Sequence, residues 1–122
     1  MRKRILIADD EPNIVVSLEF LMRHKGYEVR AAADGEETLR RLQEFKPDLV
    51  LLDIMLPLRN GFEVCQRIRE NPEWRHTKIV MLTAKGREVE VTKGLALGAD
   101  IYITKPFATR ELLASVQRLL EE

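Results

Sequence analysis

Five side chains of chemically useful type stand at the ends of apolar runs in this 122-residue sequence. Asp9 and Asp10 close "ILIADDE", Asp53 closes "LVLLDIM", Thr83 ends the apolar part of "IVMLTAKG", and Lys105 closes "IYITKPF". If these ends meet, three carboxylates become neighbours. Two unit charges about 4 Å apart repel by ~4 kcal/mol at an effective dielectric near 20, so a cation must sit among them. Carboxylate and water oxygens suit Mg2+, or else Mn2+, and do not suit zinc. The two histidines, His24 and His76, fall in helical and loop settings away from these runs. A divalent cation beside a carboxylate, with a lysine and a hydroxyl facing it, is a phosphoryl site: the cation bridges oxygens, Lys105 neutralises another and Thr83 donates a hydrogen bond. Phosphoryl transfer needs little beyond such positioning, and an aspartate nucleophile yields an aspartyl phosphate.

Strand-like and helical runs alternate along the whole chain. Residues 4–9 read as a short strand, and Glu11-Pro12 opens a helix with Ile14, Leu18, Leu21 and Met22 on one face, closed at Gly26 by a left-handed cap. "YEVRAAA" is a second strand, polar at alternate positions. Asp34 caps the next helix, which turns Leu39, Leu42 and Phe45 inward and runs to Pro47. "DLVLLD" and "KIVMLT" are apolar on both faces, as buried central strands are. Between them Asn60-Gly61 starts a helix carrying Val64, Cys65 and Ile68; Trp74 in the following "NPEW" packs or lies on the loop surface. A helix over about 87–97 ends at Gly98, "DIYIT" is a fifth strand, and Thr109 caps a last helix with Leu112, Leu113, Val116, Leu119 and Leu120 inward. Five strand–helix units with short loops predict an α/β fold, a parallel sheet with helices on both faces. All strand carboxyl ends then lie along one rim, where ligands bind. That rim would collect Asp9, Asp10, Asp53, Thr83 and Lys105.

In the order and spacing of "ADDE", "LLDIMLP", "LTA" and "TKPF", the sequence closely resembles the receiver domain of bacterial two-component response regulators, from Arg4 to about Leu120. The resemblance implies a single receiver domain over residues 1–122 and a doubly wound, flavodoxin-like sheet of order 2-1-3-4-5 flanked by five helices. Asp53 becomes the phosphoacceptor served by a histidine kinase in a phosphorelay. Mg2+ is held by Asp10, Asp53 and the backbone carbonyl of Met55, with Asp9 acting mainly through water. The resemblance also implies a switch: Thr83 moves toward the phosphoryl group and Tyr102 changes rotamer behind it. The surface of the fourth helix, fifth strand and fifth helix is reshaped for an effector or a homodimer. Such a domain assists its own phosphorylation and dephosphorylation but is no dedicated enzyme. Met55 and Lys85 flank the attack path, Lys105-Pro106 is a cis peptide, and Gly94 makes the fourth helix easy to displace.

Taken singly, each motif has an ordinary explanation. Asp9-Asp10 before Glu-Pro resembles helix capping, a lysine past a strand is usually solvated, and Tyr102 is nearly as well explained as a half-buried strand aromatic. Jointly the ordinary explanations require four accidents on one rim. Four positions, in two groups, depart from the family pattern. Leu58-Arg59 stands where Gly and a small or apolar residue are common, and Ile101 with Ser115 replaces a charged pair. With Val89 and Val91 on the fourth helix, these predict an apolar output surface.

Rival functions fit less well. A flavodoxin-type carrier needs an anion cradle after the first strand, where "ADDEPN" presents carboxylates. A phosphatase with an aspartate nucleophile pairs it with an acid two residues on, where Met55 stands. The nearest rival is a degenerate receiver serving as a non-phosphorylated interaction module. Twenty basic residues balance twenty acidic ones with no basic block, which argues against direct nucleic-acid binding. The single Cys65 fits a reducing compartment, and the short apolar run at the start is no signal peptide. A cytoplasmic protein is expected, with no membrane partner.

Overall fold

The burial of five consecutive residues in one strand organises the architecture. Leu49, Val50, Leu51, Leu52 and Asp53 are all buried, so this strand needs a neighbour on each edge and a helical layer on each face. The structure, a computed structural model, describes residues 2–84 and 88–121. Along the chain run β1 (Arg4–Ala8), α1 (Pro12–His24), β2 (Glu28–Ala32), α2 (Gly35–Phe45), β3 (Leu49–Asp53), α3 (Gly61–Glu70), β4 (Lys78–Ala84), α4 (Glu88–Ala96), β5 (Ile101–Lys105) and α5 (Thr109–Glu121). The strands form one parallel sheet of order β2-β1-β3-β4-β5. The expected fold is therefore present, with the amphipathic β2 at the edge, where its partly solvated pattern belongs.

Each face of the sheet has its own core. On one, Leu6, Val50, Leu52, Ile79 and Met81 pack with Leu42 of α2 and Val64, Cys65 and Ile68 of α3. On the other, Ile7, Leu51, Val80 and Leu82 pack with Leu18 and Met22 of α1 and Leu112, Val116 and Leu119 of α5. Each fully buried Leu or Ile contributes about 1.5–3 kcal/mol, so the sheet's position is set by dozens of such contacts. The rim residues are carried on it.

Helix ends follow local chemistry. Asp34 accepts from the Glu37 amide at 2.7 Å, and Asn60 with Glu63 forms a capping box at α3. Gly26 and Gly98 adopt φ 91 and 112, the left-handed region glycine enters freely. Thr109 differs from expectation: it lies inside α5, and the Ala108 carbonyl accepts the first helical bond from Leu112. Val91 is also buried, leaving Val89 of that pair on the exposed face of α4. Gly94 is buried too, and a Cβ there would meet Met81 Cε at 3.3 Å, so glycine lets α4 approach β4. Trp74 packs partly buried against the α2/α3 core.

Candidate functional site

Sheet register builds the site. Ala8 pairs with Leu52, so Asp9 and Asp53 are the next residues along two adjacent strands, and neighbouring strands lie about 4.8 Å apart. Alternation along each strand sends both side chains toward the α1/α5 face, with Ile7 and Leu51. Lys105 follows Ile101 and Ile103 onto that same face from β5. Asp10 continues the chain from Asp9. Asp9, Asp10 and Asp53 each offer an oxygen within 4.8 Å of the others. Asp9 and Asp53 are buried while Asp10 is exposed.

Neither aspartate of the pair caps α1. Its cap position is Glu11, which makes no side-chain cap bond, and Asp9 Oδ1 instead accepts the Glu11 amide at 2.9 Å. Asp53 Oδ1 accepts the Met55 amide at 3.1 Å, fixing the carboxylate at the start of the next loop. Lys105 Nζ lies 2.7 Å from Asp9 Oδ2, 3.1 Å from Glu11 Oε1 and 3.6 Å from Asp53 Oδ2. The fully buried Asp9 Oδ2 is thus ion-paired with that ammonium.

Burial raises the Asp53 carboxyl above 3.8; the Met55 amide and Lys105 oppose this, and Asp9 and Asp10 add to it. For Lys105, burial alone would favour the neutral amine. Its contacts with Asp9, Asp53 and Glu11 outweigh burial and hold it above 10.5, so it is cationic at neutral pH.

Thr83 is buried at the end of β4, and its hydroxyl donates to the Ala84 carbonyl at a long 3.4 Å. Alternation places Thr83 with Met81 on the face covered by α3 and α4, opposite to Asp53 and Lys105. Tyr102, paired with Met81, lies on that face as well and is 46% exposed. The five predicted residues therefore share one end of the sheet, but only the acids and Lys105 form a contact cluster. Lys105-Pro106 is cis, as expected. Lys85 lies outside the described residues.

The closing residues of the loop after β3 show why glycine follows Asn60. A Cβ on Gly61 would come 2.6 Å from the Asp53 carbonyl oxygen. Leu58 adopts φ 69, a left-handed conformation that glycine would enter freely.

A family model for the response regulator receiver domain matches residues 5–117. The chain belongs to that family. Among solved structures, the receiver domain is similar to a protein from Chloroflexus aurantiacus assigned as a response regulator. That protein is 37% identical at a TM-score of 0.96, with 100% of each chain covered. The chemotaxis response regulator CheY4 of Vibrio cholerae is 32% identical at a TM-score of 0.91, covering 98% of this chain and 99% of the other. A receiver domain of a signal transduction histidine kinase from Syntrophus aciditrophicus is 31% identical at 0.90, with 98% and 90% covered.

The donor set fits a hard divalent cation. It is all oxygen, and it sets three carboxylates within 4.8 Å of one another against the one ammonium of Lys105 that contacts them. Two participants were not singled out from the sequence. Glu11 shares Lys105 with the aspartates; its place in "ADDE" was the available signal. Arg59 joins the site's loop to α2, and its departure from the family pattern is the signal the sequence carries.

Proposed function

We propose that this receiver domain is a phosphorylation-dependent switch that accepts a phosphoryl group on Asp53. The supporting observation is the convergence of Asp9, Asp10, Asp53 and Lys105 at one end of the sheet. In this reading a histidine kinase or phosphotransfer protein is the donor. An Asp53 carboxylate oxygen attacks phosphorus while the leaving group takes the electrons of the broken bond. Mg2+ would be held by Asp10, Asp53 and the Met55 carbonyl, with Asp9 through water; when bound it neutralises charge developing on the phosphoryl oxygens. The Met55 amide orients the acceptor. Lys105 is already near enough to pair with an added phosphoryl oxygen.

The modification adds about −1.5 to −2 charges. Thr83 can answer it because its present bond, at 3.4 Å, is easily given up. Tyr102 shares the Thr83 face of the sheet, two positions back on the neighbouring strand. A shift at Thr83 thereby reaches α4, β5 and α5, where Val89, Leu95 and Tyr102 are exposed to an effector or a second copy. The chain works as one receiver domain over residues 1–122, in the cytoplasm. No helix among the described residues is long and apolar enough to cross a membrane.

The test is incubation with Mg2+ and acetyl phosphate or beryllofluoride, comparing wild type with Asp53→Ala. Base-labile label confined to wild type is expected. Equal labelling of the two proteins removes Asp53 as the acceptor.

A further inference from the structure

The loop after β3, residues 54–60, carries Met55, whose amide holds the Asp53 carboxylate. Three attachments fix this loop. At the sheet, the Ile54 amide donates to the Leu82 carbonyl at 3.2 Å. At α3, the Gly61 amide donates to the Ile54 carbonyl at 2.8 Å. The third attachment is lateral and reaches a different helix: the first amide of α2, on Gly35, donates to the Pro57 carbonyl at 3.0 Å. A Cβ on Gly35 would overlap the Arg59 carbonyl oxygen, so the two backbones meet directly. Arg59 Nε then donates to Glu36 Oε1 at 2.6 Å, a short charge-assisted bond. A weaker contact to Glu63 at 3.8 Å steadies the guanidinium from α3.

The loop has a reason to need such a clamp. Leu58 holds a left-handed conformation that costs a branched residue energy, and its side chain is 75% exposed, so little packing opposes relaxation there. If the loop relaxes, the Met55 amide moves, and the Asp53 carboxylate loses the bond that sets its rotation.

We infer that Arg59 is a positioning residue for the acceptor: its bridge to Glu36 locks the loop against α2 and thereby keeps the Met55 amide aligned on Asp53. This rests on the phosphoacceptor reading only for its consequence in phosphorylation. The clamp itself is a property of the loop and can be measured without phosphate.

The experiment compares wild type, Arg59→Ala, Glu36→Ala, the double variant and the charge exchange Arg59→Glu with Glu36→Arg. Three readouts are taken: amide hydrogen exchange over residues 54–60, Mg2+ affinity by calorimetry, and the rate of labelling by acetyl phosphate. Removing either partner should speed exchange at Met55 and weaken Mg2+ about twofold to fivefold, the range of a partly exposed ion pair. The double variant should be no worse than the singles, and the charge exchange should recover part of the loss. A melting temperature that falls without faster exchange at Met55 would mean a merely structural pair and overturn the inference. So would additive effects with no recovery. If wild type binds Mg2+ and shows the exchange pattern yet takes no label, the phosphoacceptor reading fails while the clamp stands.

Discussion

Without metal, the Asp53 carboxylate should destabilise the fold that holds it, so Asp53→Asn should raise stability. Asp53 has an oxygen within 4.8 Å of one on Asp9 and one on Asp10, which corresponds to about 3.5 kcal/mol of repulsion per pair at an effective dielectric near 20. Lys105 at 3.6 Å returns about 4.6 kcal/mol on the same scale. Asp10 is exposed, and its share is reduced by solvent. The net is about 1–2 kcal/mol against the charged form, before the cost of burial. Asparagine retains an oxygen for the Met55 amide and removes the charge. In EDTA at pH 7 its melting temperature should exceed wild type by about 4–8 °C. The pH dependence has a definite sign. Because the folded carboxyl is raised above 3.8, this group's contribution to wild-type stability is fullest below that value and falls as pH rises through the folded titration. The variant lacks this step, so the two curves should coincide in acid and separate toward neutrality. Mg2+ should reverse the order, since at one hundred times its dissociation constant it adds about 2.7 kcal/mol to the protein that binds it. Thermal melts across pH, with EDTA and with Mg2+, read all of this. A variant melting below wild type in EDTA at pH 7, or a wild type indifferent to Mg2+, would refute the account of the site as a charge cluster awaiting a cation.

Removing the cation should act in the opposite direction. Lys105→Ala leaves buried Asp9 and Asp53 without Lys105 and should cost about 3 kcal/mol in EDTA by chemical denaturation. Mg2+ should recover part of that loss, and the variants should converge only at pH above 10.5, where wild-type Lys105 loses its charge in turn. Leu58→Gly relieves the left-handed residue and should leave stability unchanged or raised by up to about 1 kcal/mol, the left-handed strain less the entropy of glycine; a clear loss in urea melts would show that Leu58 packs usefully. Burial pushes the Cys65 thiol up to about 11, with Arg69 opposing and Asp100 adding. It should therefore resist thiol reagents at pH 8 in the native protein and react once urea unfolds it; rapid native labelling would contradict its burial in the α3 core.

How much was legible in advance differs between the fold and the site. The two-sided apolar runs of β3 and β4, the caps at Asp34 and Asn60 and the left-handed glycines at 26 and 98 are local signals, and each led to the observed element. Thr109 misled because Ala108, with no side-chain acceptor, holds the cap position. Val91 misled because residues two apart on a helix lie on nearly opposite faces, so only one of the two valines can face outward. Partners that meet through space left no periodic trace: Glu11 at Lys105, Arg59 at Glu36, and Gly61 beneath the Asp53 carbonyl.

By itself the sequence determined which side chains could reach the end of the sheet, because apolar runs must be buried and parallel strands place their carboxyl ends together. Only the tertiary structure decided which of them touch. Contact depends on register and on the alternation of side chains between faces, and these join Asp9, Asp53 and Lys105 while turning Thr83 toward Tyr102. A shift of one residue in register would exchange those faces.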